Sequence, residues 1–433
     1  MLLRIEIENF LSFYNKVVFD MFPNPYREHF KNHIINQQIP LLKQAAIYGE
    51  NGAGKSNFVK AFTFLKHFIE DKDFLSKINL NRYKFQLTES DKSPIYFRIE
   101  FSQNNDYYIY ELQINSHITE RFFKSGLSQK DNQIIFERNG NSIESDLVTN
   151  KESTESLLEK NPNSSILSLN EQFPVLSKSK EISDINDWFY SLYIISINSN
   201  IPYLIDMLSK NENLMNFAND VLFNVGITNS LSIKTTLFDE WLNQQDNAEI
   251  IKDIVDRSNI NNNVSFALLN KNRVEYDFTI EDSIKKVREF IFEQLGINGY
   301  KKGLGISYQS DGTVRLLTLI PAFYKAMKQK GIIIIDEIEN SMHPNLIYRI
   351  VEYFADNESN GQFIFTTHLT KFLNPQRYMT PDELWITEKS NGCTQMRSFN
   401  DFKIEDNMNI EKGYQDGRYG GVPSIKQFAA NEQ

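Results

Sequence analysis

A chain of 433 residues with 41% hydrophobic and 24% charged residues can bury one large core or two to three smaller ones, with an ordinary globular balance. Its single cysteine, Cys393, excludes an internal disulfide framework and any zinc site of three or four thiolates, and it fits a reducing compartment. The formal charge of −10 argues against diffuse, charge-driven coating of nucleic acid, although it leaves room for a local basic groove.

The first residues carry charge early (Arg4, Glu6, Glu8), unlike a signal peptide or membrane anchor. The longest apolar runs, such as 189–197 and 332–335, fall far short of the roughly 20 residues that span a bilayer. The expectation is a cytoplasmic protein without a membrane partner.

Residues 2–20 read as a β-hairpin: Leu3-Arg-Ile-Glu-Ile-Glu alternates, Asn9 to Asn15 turns, and Lys16-Val-Val-Phe-Asp returns. An apolar strand at 44–48 then delivers the chain to Gly49-Glu50-Asn51-Gly52-Ala53-Gly54-Lys55-Ser56, a complete G-x-x-x-x-G-K-[ST] phosphate loop. Asn57 follows and opens a segment to residue 70 with apolar residues at helical spacing. Backbone N–H groups of such a loop, and the start of the following helix, face phosphate oxygens. Lys55 is placed to reach the β- and γ-phosphates of ATP, and the Ser56 hydroxyl to hold Mg²⁺.

Alternating segments at 94–101, 107–114 and 134–138, with turn signals at Asn104-Asn105-Asp106 and Asn139-Gly140-Asn141, predict an antiparallel meander. Composition shifts near residue 140. Helix-like segments at 182–195, 203–224, 236–257 and 281–295, with a polar loop at 258–263, predict a mainly helical insertion over 141–295. Basic residues at 270–303, among them Lys271, Arg273 and Arg288, are interspersed with acids and read better as a solvated helical face than as a DNA track. No sustained heptads or internal repeats occur. The predicted organisation is therefore 1–140 and 296–433 as two halves of one nucleotide-binding domain, bracketing the insertion.

The second half carries the remaining chemistry. Ser310-Asp311-Gly312-Thr313 precedes an apolar-periodic helix, where Ser and Gly make an anion-binding helix start or a simple N-cap. Ile332-Ile-Ile-Ile-Asp336-Glu337 is a Walker B strand. Asp336 can serve the Mg²⁺ shell and Glu337 can polarise an attacking water, while the blander reading makes both acids caps of a βα turn. A helix over 344–356 leads to a second apolar strand at 361–367 that ends at His368. An imidazole there can hydrogen-bond the γ-phosphate and sense it.

Phosphate loop, Ser-x-Gly helix start, acidic strand end and histidine, in that order, resemble the ordered set of ABC-type ATPases of the SMC/RecF-like branch. The N-terminal Arg4-Ile-Glu-Ile-Glu-Asn-Phe-Leu-Ser-Phe and Asp336-Glu-Ile-Glu-Asn-Ser-Met-His-Pro also resemble that branch. Together with the ending Gly417-Arg-Tyr-Gly-Gly-Val-Pro, the chain is similar to stand-alone AAA/ABC-like ATPases of bacterial abortive-infection and anti-phage operons.

The resemblance implies an α/β P-loop NTPase head of ABC type, with an N-terminal antiparallel β subdomain and a mainly helical insertion. It implies a slow ATPase using ATP and Mg²⁺, with Glu337 and His368 as catalytic residues. Two heads would dimerise, or assemble further, around ATP, with Ser310 and Gly312 meeting the nucleotide held by the second subunit. A separate effector protein from the same operon would be the partner. The signature departs from the usual Leu-Ser-Gly-Gly-Gln, yet Ser310 and Gly312 remain. Gln86 is a candidate Q-loop residue by position, and His343 is either a subunit-interface residue or a helix-start residue.

The alternative is an SMC/RecF-like ATPase that clamps DNA; the insertion is too short for long coiled-coil arms, and the negative charge weakens that case. The stretch after His368 is too short for the added domain of an OLD-type nuclease. The large insertion and altered signature disfavour a transporter ATPase. A GTPase is disfavoured because Asn270-Lys-Asn-Arg lacks the acid that reads guanine.

Overall fold

The computed structural model describes residues 1–422 apart from 29, 31, 89–92, 127–131, 197–202, 258–265, 271–272, 282, 357–360, 375–376 and 405–407. The expected polar loop at 258–263, Lys271 and Pro423 therefore lie outside the described residues. The chain forms two compact units: Met1–Ser196 with Lys325–Ile338 and Ile350–Gln433, and Ile197–Tyr324 with Glu339–Arg349.

In the first unit a six-stranded sheet runs in the order Leu192–Ile195, Ile332–Ile335, Gln362–Thr366, Gln44–Gly49, Leu384–Ser390, Cys393–Ser398. Its first five strands are parallel, and the last returns antiparallel as an edge hairpin. Ile332–Ile335 and Gln44–Gly49 are buried along their whole length, which is why they read as continuous apolar runs rather than alternating ones. The helix Lys55–Glu70 buries Phe58, Phe62, Leu65 and Ile69, one stripe at three- and four-residue spacing.

The same unit holds a seven-stranded antiparallel sheet, ordered Ser142–Glu144, Gln133–Asn139, Ile118–Ser125, Asp106–Ile114, Ile95–Gln103, Leu2–Glu8, Val17–Asp20. The N-terminal hairpin and the meander both form as expected. Asn104 and Asn105 take φ of 49° and 68°, and Gln103 pairs with Asp106. That is the two-residue turn that asparagines favour. The strand Ile118–Ser125 escaped the alternation test because Glu120, wholly buried, sits on the core-facing row with Ile118 and Phe122. One apolar core joins the two sheets: Phe10 stands edge-on to Phe64 at 5.4 Å and to Phe97 at 5.0 Å.

The expected insertion divides differently. Helices Lys151–Lys160, Ile166–Gln172 and Lys180–Tyr190 lie in the first unit and bury Leu158, Ile166, Trp188 and Phe189 in its core. Residues 182–195 are not one helix, since Leu192–Ile195 is the edge strand of the parallel sheet.

The second unit has the expected helical character in Leu204–Lys210, Glu212–Asn224, Phe238–Leu242 and Ala248–Arg257. It adds an antiparallel sheet, ordered Ser230–Leu237, Ile284–Leu295, Arg273–Glu281, Phe266–Asn270, with Lys301–Leu304 also paired to Ile284–Leu295. Residues 284–295 are thus a strand where a helix was expected. Arg288, Phe290 and Phe292 are buried at alternate positions, with Val287 buried out of phase beside them. A charge at the first of those positions concealed the period. The Arg288 guanidinium is held inside by Asp277 (2.8 Å from Nε), Asp206 (2.7 Å) and the Ser209 hydroxyl (2.8 Å).

Candidate functional site

Parallel register brings the predicted residues of the first unit to one edge. Ile335 lies opposite Phe365, Thr366 opposite Ile47, and Thr387 opposite Gly49. Asp336-Glu337, Thr366-Thr367-His368 and the phosphate loop therefore all leave the sheet at the carboxyl ends of adjacent strands. This is where open α/β sheets bind ligands.

The phosphate loop runs from Gly49 into the helix Lys55–Glu70, whose N-cap is Gly54. Two glycines are forced by close approach. A Cβ on Gly49 would lie 2.2 Å from Thr387 Oγ1, and one on Gly54 (φ 110°) 2.3 Å from Thr394 Oγ1. The walls of the loop come from distant segments. Thr387 Oγ1 donates to Tyr48 O at 2.9 Å; Thr394 Oγ1 lies 2.8 Å from Ala53 O and 2.7 Å from Ser12 Oγ. Asn57 Nδ2 donates to that same Ser12 Oγ at 2.8 Å. The buried Lys55 ammonium donates to the Gly49 and Glu50 carbonyls at 2.7 and 3.1 Å. Asn51 and Gly52 are exposed at the loop's tip, and Ser56 is half-buried in the first helical turn.

Asp336 is buried at the end of its strand, and its amide donates to Ile195 O at 2.9 Å. Glu337 is half-buried and takes φ of 48°, a left-handed conformation that a side-chain-bearing residue adopts at a cost. Thr366, wholly buried on the neighbouring strand, touches both acids. Its hydroxyl donates to Asp336 Oδ1 at 2.8 Å and accepts from the Glu337 amide at 2.7 Å.

His368 is exposed on the loop that leaves this strand. That loop is tied to the strand entering the phosphate loop on both sides of the histidine. The Thr367 amide donates to Ile47 O at 3.0 Å, and the Tyr48 hydroxyl donates to Leu369 O at 2.8 Å.

The C-terminal segment reaches the same place. The Tyr414 ring meets Tyr48 edge-on at 5.5 Å, and its hydroxyl, whose pKa burial pushes up to about 12, donates to Gly421 O at 3.1 Å. A Cβ on Gly421 would lie 3.4 Å from Gly49 Cα, so this glycine run packs on the first residue of the phosphate loop.

Sequence reasoning missed Thr387, Thr394 and Tyr414 as neighbours of the loop. No local signal marks them, because strand order alone brings the two threonines there and the packing of the helix Ile410–Gln415 brings the tyrosine. Gln86 is exposed and donates to the local carbonyls of Asn81 and Lys84 at 2.5 and 2.8 Å.

Ser310 and Gly312 belong to the second unit. The exposed Ser310 caps the helix Asp311–Gln329: its hydroxyl accepts from the Thr313 amide at 3.1 Å and its carbonyl from Val314 at 3.1 Å. A Cβ on Gly312 would lie 2.6 Å from Ser341 O, so the chain leaving the acidic strand rests directly on this glycine. His343 is exposed and caps the helix Pro344–Asp356, with Nδ1 accepting from the Asn345 amide at 3.2 Å.

A glycine-lined phosphate loop between a parallel strand and a helix, an acidic pair ending the next strand but one, and an attached antiparallel sheet make a P-loop NTPase fold of the ABC/AAA type. The family model described as "AAA domain, putative AbiEii toxin, Type IV TA system" matches residues 45–374, and the chain belongs to that family.

No curated protein matches the sequence. Among solved structures the chain is similar to the SMC head domain from Thermotoga maritima, at 13% identity and a TM-score of 0.41, covering 92% of this chain and 98% of that one. It is similar also to an Smc head domain with an extended coiled coil, bound to the C-terminal domain of ScpA derived from Pyrococcus furiosus. That match has 13% identity and a TM-score of 0.41, covering 96% and 98%. Likenesses at this level carry no inference about activity or partners.

The residues present fit a nucleotide with its magnesium. The loop has no room for side chains at Gly49 and Gly54, its lysine ammonium lies against its own carbonyls, and a buried carboxylate ends the acidic strand two places along the sheet.

Proposed function

We propose that this protein binds ATP at residues 49–57, hydrolyses it slowly, and uses the nucleotide to close a head-to-head homodimer that controls a separate effector protein. The observation that carries the reading is the convergence of the phosphate loop, Asp336-Glu337 and His368 on one edge of a parallel sheet. Lys55 neutralises the terminal phosphates, and loop amides from Gly49 to Ser56 cradle them. Ser56 and Asp336 would hold Mg²⁺, which would supply positive charge to offset the charge developing on the phosphates. Glu337 accepts a proton from the attacking water, and His368 hydrogen-bonds the γ-phosphate. Ser310 and Gly312 of a second copy complete the site from the far side of the nucleotide, as one exposed helix start offers amides to an anion.

The family description, which names a toxin of a type IV toxin–antitoxin system, supports a role in bacterial abortive infection, with an effector encoded nearby in the same cytoplasm. The test is the Glu337→Gln variant. It should bind ATP, fail to turn over, and double in mass on light-scattering chromatography when ATP is added. A variant that binds ATP at unchanged mass refutes the dimer. ATP hydrolysis retained by Lys55→Ala refutes the phosphate-loop assignment.

A further inference from the structure

The geometry points to Thr366 as the positioning residue that sets both acids for hydrolysis, an inference that rests on the ATPase reading above. Three hydrogen bonds converge on this one residue. Its hydroxyl donates to Asp336 Oδ1 (2.8 Å), the same oxygen accepts from the Glu337 amide (2.7 Å), and its carbonyl accepts from the Ile338 amide (3.1 Å). Thr366 is wholly buried at the last position of the strand Gln362–Thr366, so its backbone is fixed by the sheet and its β-branched side chain has little rotamer freedom.

What it holds is strained. Glu337 sits at φ 48°, and the turn from Asp336 to Ile338 must bend sharply to leave the sheet there. A left-handed glutamate persists only where its surroundings over-determine it. The Thr366 hydroxyl supplies the acceptor for its amide, and the Thr366 carbonyl the acceptor for the next one.

The same hydroxyl holds the orientation of the Asp336 carboxylate through its bond to Oδ1. One side chain therefore couples the carboxylate that would serve the metal to the backbone that aims the general base. A displacement of about 1 Å at such a group is enough to cost a hundredfold in rate. Neither Asp336 nor Glu337 would be lost by altering Thr366; they would be misdirected.

Three substitutions separate the hydroxyl from the shape. Thr366→Val keeps the shape and removes the hydroxyl, whereas Thr366→Ser and Thr366→Ala both lack the methyl and differ only by the hydroxyl. Val and Ala should lower kcat at least about tenfold while ATP affinity, measured by titration, stays within about twofold, and Ser should restore kcat. In the nucleotide-free protein the Glu337 amide should exchange with deuterium faster in the Val and Ala variants and at the wild-type rate in Ser.

Wild-type kcat in Val or Ala, or a Ser variant as slow as Ala, overturns the inference and leaves the ATPase reading standing. If Val does not fold, the Ser–Ala pair decides. A wild-type protein that binds no ATP defeats the ATPase reading, and the deuterium exchange of the Glu337 amide then decides alone whether Thr366 holds that turn.

Discussion

Two glycines of the phosphate loop should respond very differently to the same added methyl group. Gly52 has φ of 81°, and a Cβ added there would meet nothing within 4 Å. Gly54 has φ of 110°, and its added Cβ would meet Thr394 Oγ1 at 2.3 Å, Thr394 Cγ2 at 2.7 Å and Ser12 Oγ at 3.0 Å. Gly52→Ala therefore incurs only the left-handed backbone cost, about 1–2 kcal/mol. Gly54→Ala adds overpacking of about 1–3 kcal/mol, for a total of about 2–5 kcal/mol. Urea unfolding without nucleotide, followed by the fluorescence of the buried tryptophans, Trp385 on the adjoining strand among them, measures this free of any effect on phosphate approach.

A cycle with Thr394→Ala sharpens the test, because truncation removes the two nearest obstructing atoms. The penalty of Gly54→Ala should shrink by at least about 1 kcal/mol in that background. Equal penalties at Gly52 and Gly54, or a Gly54 penalty that ignores Thr394, would refute the argument.

The buried pair of Arg138 and Glu120 makes a second test. Both are wholly buried, 2.9 Å apart, and Glu120 also accepts from the Tyr110 and Ser165 hydroxyls at 2.8 and 2.7 Å. Arg138→Met should cost about 3–5 kcal/mol by leaving that carboxylate unpaired, and a cost under about 1 kcal/mol in urea unfolding would show that the pair does not hold these elements. Lys43, buried just before the phosphate-loop strand, donates to Ala355 O at 3.0 Å, and burial pushes its pKa from 10.5 down to about 8. The folded state then binds fewer protons than the unfolded state between those two values, so this group's contribution to stability increases as pH rises through the window. Lys43→Met should remove that rise from the urea midpoint; parallel pH profiles for variant and wild type would contradict it.

The parts legible in the sequence were those written in adjacent residues. The phosphate loop, the acidic strand end and the Asn104-Asn105 turn each carry their geometry within a few positions. Two kinds of information stayed hidden. Charged residues at buried positions broke the alternation that marks strands, as Glu120 did in Ile118–Ser125 and Arg288 did in Ile284–Leu295. Their partners, Arg138 for one and Asp277 with Asp206 for the other, are what make burial tolerable, and those partners sit on other elements, known only once the strands are paired. The braces of the phosphate loop were hidden for a related reason. Thr387 and Thr394 look like ordinary strand threonines until the sheet order sets them beside Gly49 and Gly54.

That sheet order also governs when the site can exist during synthesis. The strand that carries the phosphate loop is made early, but its two neighbours in the sheet are Gln362–Thr366 and Leu384–Ser390. The bond from Thr387 to Tyr48 joins residues 339 apart. A nascent chain emerging from the ribosome thus holds its nucleotide motif beside vacant strand positions until residues 362–390 have been translated, and closing so long a loop is slow. A ribosome-stalled fragment ending before residue 362 should therefore lack both strands that flank the phosphate-loop strand and should be digested by proteases there.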